Sequence, residues 1–145
     1  MRGLTLSTKP VKEQDVKRQW HLINISGKIL GRTTPQIAKL LQGKHKSNYS
    51  PSLDVGDYVV VINAAEVIVS GKKEKTKIYT RYSGYPGGLK TEYFAKLIKQ
   101  SPEKIVKSAV SGMLPKNKLR EKRLKRLFVF ADENHPFKNK LWEKN

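Results

Sequence analysis

Residues 57–63 contain four consecutive branched apolar side chains, Val59, Val60, Val61 and Ile62. Neighbouring residues of a strand point to opposite faces, so a strand without polar alternation has to be covered on both sides. This is the signature of a central strand in a parallel sheet with other layers packed over it. The run is far too short to span a bilayer, which takes about 20 apolar residues.

The flanking segments agree with that placement. Residues 20–25 are rich in β-branched and aromatic side chains and stop at Ser26-Gly27, which predicts a strand. Ile29, Leu30, Thr33, Ile37, Leu40 and Leu41 then recur at helical spacing up to Gly43, a good helix stop. Pro35 is expected in the first turn of that helix behind Thr34 as N-cap, with a start near Ile29 as the alternative. Residues 67–69 predict a short strand, closed by Ser70-Gly71 and the solvated basic run 72–77, and residues 78–82 predict another. Residues 91–99 carry Phe94, Leu97 and Ile98 on one helical face. Ser101 and Pro102 supply an N-cap and an N1 proline for a helix that buries Ile105, Val106, Ala109 and Val110 and ends at Gly112. Asn117 is expected to cap a basic helix to about Arg126, and residues 127–130 read as the last strand. The alternation predicts one α/β sandwich domain around a largely parallel sheet, spanning 18–136, with tails at 1–17 and 137–145.

Charge narrows the function. Thirty Lys+Arg against twelve Asp+Glu leave a net charge of +18, which repels itself unless a polyanion neutralises it. Nucleic acid is the leading partner and an anionic membrane surface the second. The charge lies in two blocks. Residues 16–53 hold no acidic side chain, and residues 116–126 set seven cations against Glu121 alone. There is no cysteine, which excludes disulfides, thiolate metal sites and a cysteine nucleophile. Residues 1–10 lack the apolar stretch of a secretory signal and make a weak transit peptide, so the expected address is the cytoplasm, or an organelle after processing.

No catalytic constellation emerges. His21, His45 and His135 have no metal-ligand spacing, so neither metal nor cofactor is expected. Gly27-Lys28-Ile29-Leu30-Gly31-Arg32-Thr33 is one residue short of a phosphate loop and has Arg where the lysine belongs. Asp54 and Asp57 flank Gly56 at a strand entrance, where turn-forming and capping roles are commoner than acid–base work.

Three segments do suit RNA. Lys44, His45, Lys46 and Tyr49 follow a helix end and offer cations, small donors and a stackable ring. Arg81, Tyr82, Ser83, Gly84, Gly87, Gly88 and Lys90 combine a flexible glycine-rich backbone with aromatic and guanidinium planes. Met113, Leu114, Pro115, Lys116, Asn117 and Lys118 place an apolar wedge ahead of a basic helix. Arg32, Lys72, Lys73, Arg120 and Arg123 complete the candidate contacts.

The order of Gly27-Lys28-Ile29-Leu30-Gly31-Arg32, Leu41-Gln42-Gly43-Lys44-His45-Lys46, Tyr49-Ser50-Pro51, Asp54-Val55-Gly56-Asp57-Tyr58-Val59-Val60-Val61-Ile62-Asn63-Ala64, Ser83-Gly84-Tyr85-Pro86-Gly87-Gly88 and Gly112-Met113-Leu114-Pro115-Lys116-Asn117-Lys118-Leu119 resembles the family of the thirteenth protein of the large ribosomal subunit, in its bacterial or organellar type. The resemblance covers 20–136. It implies a three-layer α/β/α domain with a four-stranded parallel sheet, no catalytic activity and no cofactor. It also implies binding to large-subunit rRNA beside neighbouring ribosomal proteins, with early entry into subunit assembly. RNA-facing segments carried over from the family are 43–49, 81–90 and 113–118. The chain departs from the family pattern at Asn24-Ile25, at Thr33-Thr34-Pro35 and at Arg120-Glu121. A different use of the same basic surface is an mRNA-binding translational repressor, and a third reading is a small Rossmann-like enzyme.

Overall fold

The computed structural model describes residues 11–142. In chain order the elements are β1 (Trp20–Asn24), α1 (Leu30–Gln42), β2 (Tyr58–Ile62), α2 (Lys73–Thr76), β3 (Ile78–Tyr82), β4 (Leu89–Tyr93), α3 (Phe94–Gln100), α4 (Pro102–Met113), α5 (Leu119–Leu124), β5 (Leu127–Val129) and α6 (Lys138–Trp142).

The apolar run forms the middle strand. β2 pairs in parallel with β1 on one side and β5 on the other, with Leu22 opposite Val60 and Val60 opposite Phe128. Val59 and Val61 point into a core shared with Ile37 and Leu41 of α1 and Ile105, Val106 and Val110 of α4. The other face is aromatic. Trp20 stacks on Tyr58 with ring centres 4.4 Å apart, and Phe137 lies 5.1 Å from Trp20 and 4.5 Å from Phe128. Phe137 and Lys140, expected as part of a tail, therefore supply cover for the second face, with Lys140 over the Trp20 ring at 5.0 Å. Of the other expected tail residues, 11–17 hold a single 3-10 turn at Glu13–Asp15, and 1–10 and 143–145 lie outside the described residues.

The expected four-stranded parallel sheet is corrected to three strands plus a separate antiparallel pair, β3 with β4. Residues 67–69 make only an isolated parallel bridge, Ile68 with Ile29. The Ile68 amide donates to Lys28, and the Leu30 amide donates to Ile68. At Leu30 the chain turns into α1, so no further rung can form. Residues 89–93, partly assigned to a helix from their spacing, return as β4. Gly84 and Gly87 at positive φ and a Gly88 amide donating to Tyr85 make the turn that sends them back.

Helix starts also differ. α1 begins at Leu30, the earlier of the two starts, and leaves Pro35 in its interior. Pro35 cannot donate to the Gly31 carbonyl, and the hydroxyls of Thr33 and Thr34 tie the weakened turn by donating to the Leu30 carbonyl at 3.1 and 2.6 Å. α4 starts at Pro102 behind Ser101 and runs one residue past Gly112. The N-cap position of α5 is Lys118 rather than Asn117, with no side-chain cap bond; Asn117 takes part through its backbone, its carbonyl accepting from the Arg120 amide and its amide donating to Pro115.

Candidate nucleic-acid interface

The two carboxylates flanking Gly56 organise the basic blocks. Asp57 is fully buried. Its Oδ2 lies 2.8 Å from His21 Nε2 and 2.9 Å from His45 Nε2, and its Oδ1 accepts from the Lys46 ammonium and the Gln19 amide. Burial alone would raise this carboxyl, but the hydrogen bonds from His21, Lys46 and Gln19 and the Lys46 charge outweigh it and hold it well below its ordinary value. Asp54, also buried, receives both guanidinium nitrogens of Arg126 and has Arg123 Nε at 3.6 Å. Arg126 reaches on to the Leu41 carbonyl at 3.3 Å. Gly56 permits this convergence, because a Cβ there would stand 1.8 Å from the Leu41 carbonyl oxygen.

His21, His45 and Asp57 offer ligand atoms within 4.8 Å of one another, the group among the described residues best placed to hold a metal. The Lys46 ammonium and the Gln19 amide take Oδ1 and leave Oδ2 to the two imidazoles, and the Lys46 charge beside it opposes a divalent cation. The arrangement fits an internal anchor that pins the loop after α1 to the start of β1 and β2.

Several sequence-predicted contacts consequently face inward. Arg123 is 1% exposed, and burial beside Asp54 directs its charge into the protein rather than to a ligand. Leu114 is 3% exposed and completes the core below Met113, which stays 45% exposed. Lys46 is held by Asp57, as is His45 although that residue stays exposed, Arg120 donates to Ser111 at 2.6 Å, and Tyr49 is half-buried. Arg32, Lys44, Lys72, Lys73, Arg81, Lys90, Lys116 and Lys118 are exposed, as are Ser83, Gly84, Gly87, Pro115 and Asn117, with Gly88 intermediate.

The fold brings some of these together. Met113 borders a cavity of about 340 Å³ whose wall includes Lys73 and Lys77, and a second of about 280 Å³ whose wall includes Lys39 and Lys44. Lys39 and Lys77 fall within the basic stretches 16–53 and 72–77, but nothing in their spacing marks them as neighbours of Met113. In the hairpin, Arg81 stands directly across from Lys90, and Tyr82, its neighbour in sequence, points to the opposite face with Leu89.

Residues 18–136 match the family described as ribosomal protein L13. The chain belongs to this family. Among its relatives, the large ribosomal subunit protein uL13 of Nitratiruptor is 53% identical over 129 residues, covering 89% of this chain and 92% of the relative. That of Syntrophotalea carbinolica is 47% identical over 131 residues, covering 90% and 92%. That of Thermotoga maritima is 48% identical over 129 residues, covering 89% and 87%.

The family consists of structural ribosome components rather than enzymes. The departures from its pattern have local explanations. Asn24 Oδ1 accepts from the Ser26 amide and from Asn63, closing the end of β1, and Arg120 braces the end of α4 through Ser111. No described helix is long and apolar enough to cross a membrane.

Proposed function

We propose that this chain binds large-subunit rRNA in the cytoplasmic ribosome through the cations its own carboxylates leave free. The carrying observation is the register of the hairpin. Like charges directly opposite one another destabilise an antiparallel pair, and Arg81 opposite Lys90 has that defect built in. A polyanion lying on that face removes it. The ion pairs of Asp54 and Asp57 take Arg126, Arg123 and Lys46 inward, while Arg32, Lys44, Lys72, Lys73, Lys116 and Lys118 stay exposed. Met113, exposed between two cation-lined cavities, adds an apolar contact for a sugar or base. The relatives' designation as large-subunit proteins supports large-subunit rRNA as the polyanion. A core complete within one chain supports entry early in assembly, before neighbouring proteins are present.

The test is the salt dependence of affinity for a large-subunit rRNA fragment. Neutralising roughly five to eight phosphates gives a log–log slope of about −4 to −7. A slope shallower than about −2 makes the exposed cations ordinary solvated groups and removes the proposal.

A further inference from the structure

The two faces of the β3–β4 hairpin are chemically different. Paired residues of an antiparallel ladder share a face, so the register puts Ile78 with Tyr93, Thr80 with Thr91 and Tyr82 with Leu89 on one side. Tyr79 with Glu92 and Arg81 with Lys90 lie on the other. The first face has no ionisable cation or carboxylate, in a chain of net charge +18. It is also uncovered: Ile78, Tyr82, Leu89 and Tyr93 are 47%, 63%, 60% and 56% exposed. Tyr79, by contrast, packs against the core from the second face.

We infer that this uncharged face docks on the apolar surface of a different protein within the large subunit, while the Arg81–Lys90 face lies toward RNA. The inference rests on the RNA-binding reading for that second face. Four large side chains make an apolar patch on the order of several hundred Å², the size at which a contiguous exposed patch marks an interaction site. Phosphates would find only the hydroxyls of Thr80, Thr91, Tyr82 and Tyr93 here and no cation, because the backbone donors of a strand lie in the plane of the sheet. Each aromatic is paired with an aliphatic residue, which suits side-chain packing better than a continuous base stack. A second copy is disfavoured on two counts. Two chains of +18 repel, and the patch is smaller than the roughly 800 Å² per partner of a stable standard interface. A particle in which RNA already holds both partners needs no more than a patch of this size.

The test uses the full chain assembled into large subunits, with Tyr93 replaced by photoreactive benzoylphenylalanine. Irradiation of purified particles is expected to crosslink it to one defined peptide of another ribosomal protein. Crosslinking to rRNA or to a second copy of this chain, or no crosslink, overturns the inference. A paired measurement uses Ile78→Thr with Leu89→Thr, which keeps good strand formers on the face. This variant is expected to bind an rRNA fragment within about twofold of wild type, yet to wash from particles at high salt about tenfold more readily. Equal retention, or an equally large loss of RNA affinity, overturns the docking. Arg81→Gln with Lys90→Gln separates the two readings. If that pair binds RNA normally while the crosslink persists, the RNA assignment of the second face fails and the protein contact stands.

Discussion

Arg81 on β3 lies directly opposite Lys90 on β4, so two cations share one rung of an exposed two-stranded ladder. No ion pair to either occurs among the described residues. A free hairpin gains nothing from that arrangement, and a hairpin lying on phosphates does.

Arg81→Gln with Lys90→Gln should therefore separate stability from binding. Removing the repulsion should leave the melting temperature unchanged or raise stability by up to about 1 kcal/mol. The salt slope for the rRNA fragment should become shallower by about two. Paired melting and titration check it, and a lower melting temperature with normal binding contradicts it.

Lys116→Ala with Lys118→Ala should weaken RNA binding and leave stability almost untouched, since both side chains are exposed ahead of α5. Asn117→Ala is the control. A side-chain cap there would cost about 1 kcal/mol on removal, but Lys118 holds the cap position, so the change should stay within about 0.5 kcal/mol.

Gly56→Ala should be among the most damaging single-methyl changes in the chain. The added carbon meets the Leu41 carbonyl in a buried turn, beside the Arg126 guanidinium at 3.0 Å. A loss of several kcal/mol is expected, visible as a large drop in denaturant midpoint. A near-normal midpoint would mean that the loop can move away from α1.

Asp57 should make stability acid-sensitive. Its folded pKa is depressed, so its contribution is present above the ordinary carboxylate value of 3.8 and is lost as pH falls through the folded value. Asp57→Asn should be less stable by about 3–5 kcal/mol near neutrality, and the gap to wild type should narrow below about pH 4. Urea unfolding at several pH values reads the difference directly. A gap that does not change with pH would assign the loss to packing.

The sequence by itself determined the central strand, the helices that cover one face, and the class of partner. Val59, Val60, Val61 and Ile62 have no polar alternation, the apolar residues of α1 and α4 recur at helical spacing, and +18 is a property of composition. These are local or summed quantities. Tertiary structure decided which cations are free. Asp54 and Asp57 are only three positions apart, yet one faces Arg123 and Arg126 some seventy residues on, and the other takes His21, His45 and Lys46 from two segments. Nothing in spacing foretells such pairings, because each depends on where Gly56 lets the chain pass α1. The same holds for the hairpin. Leu89, Thr91 and Tyr93 fit a strand, but the helical face of Phe94, Leu97 and Ile98 masks that pattern until pairing with β3 satisfies the backbone. The second face of the sheet was the least legible part. Phe137 stacks on Trp20 across more than a hundred residues, a contact that neither segment announces on its own.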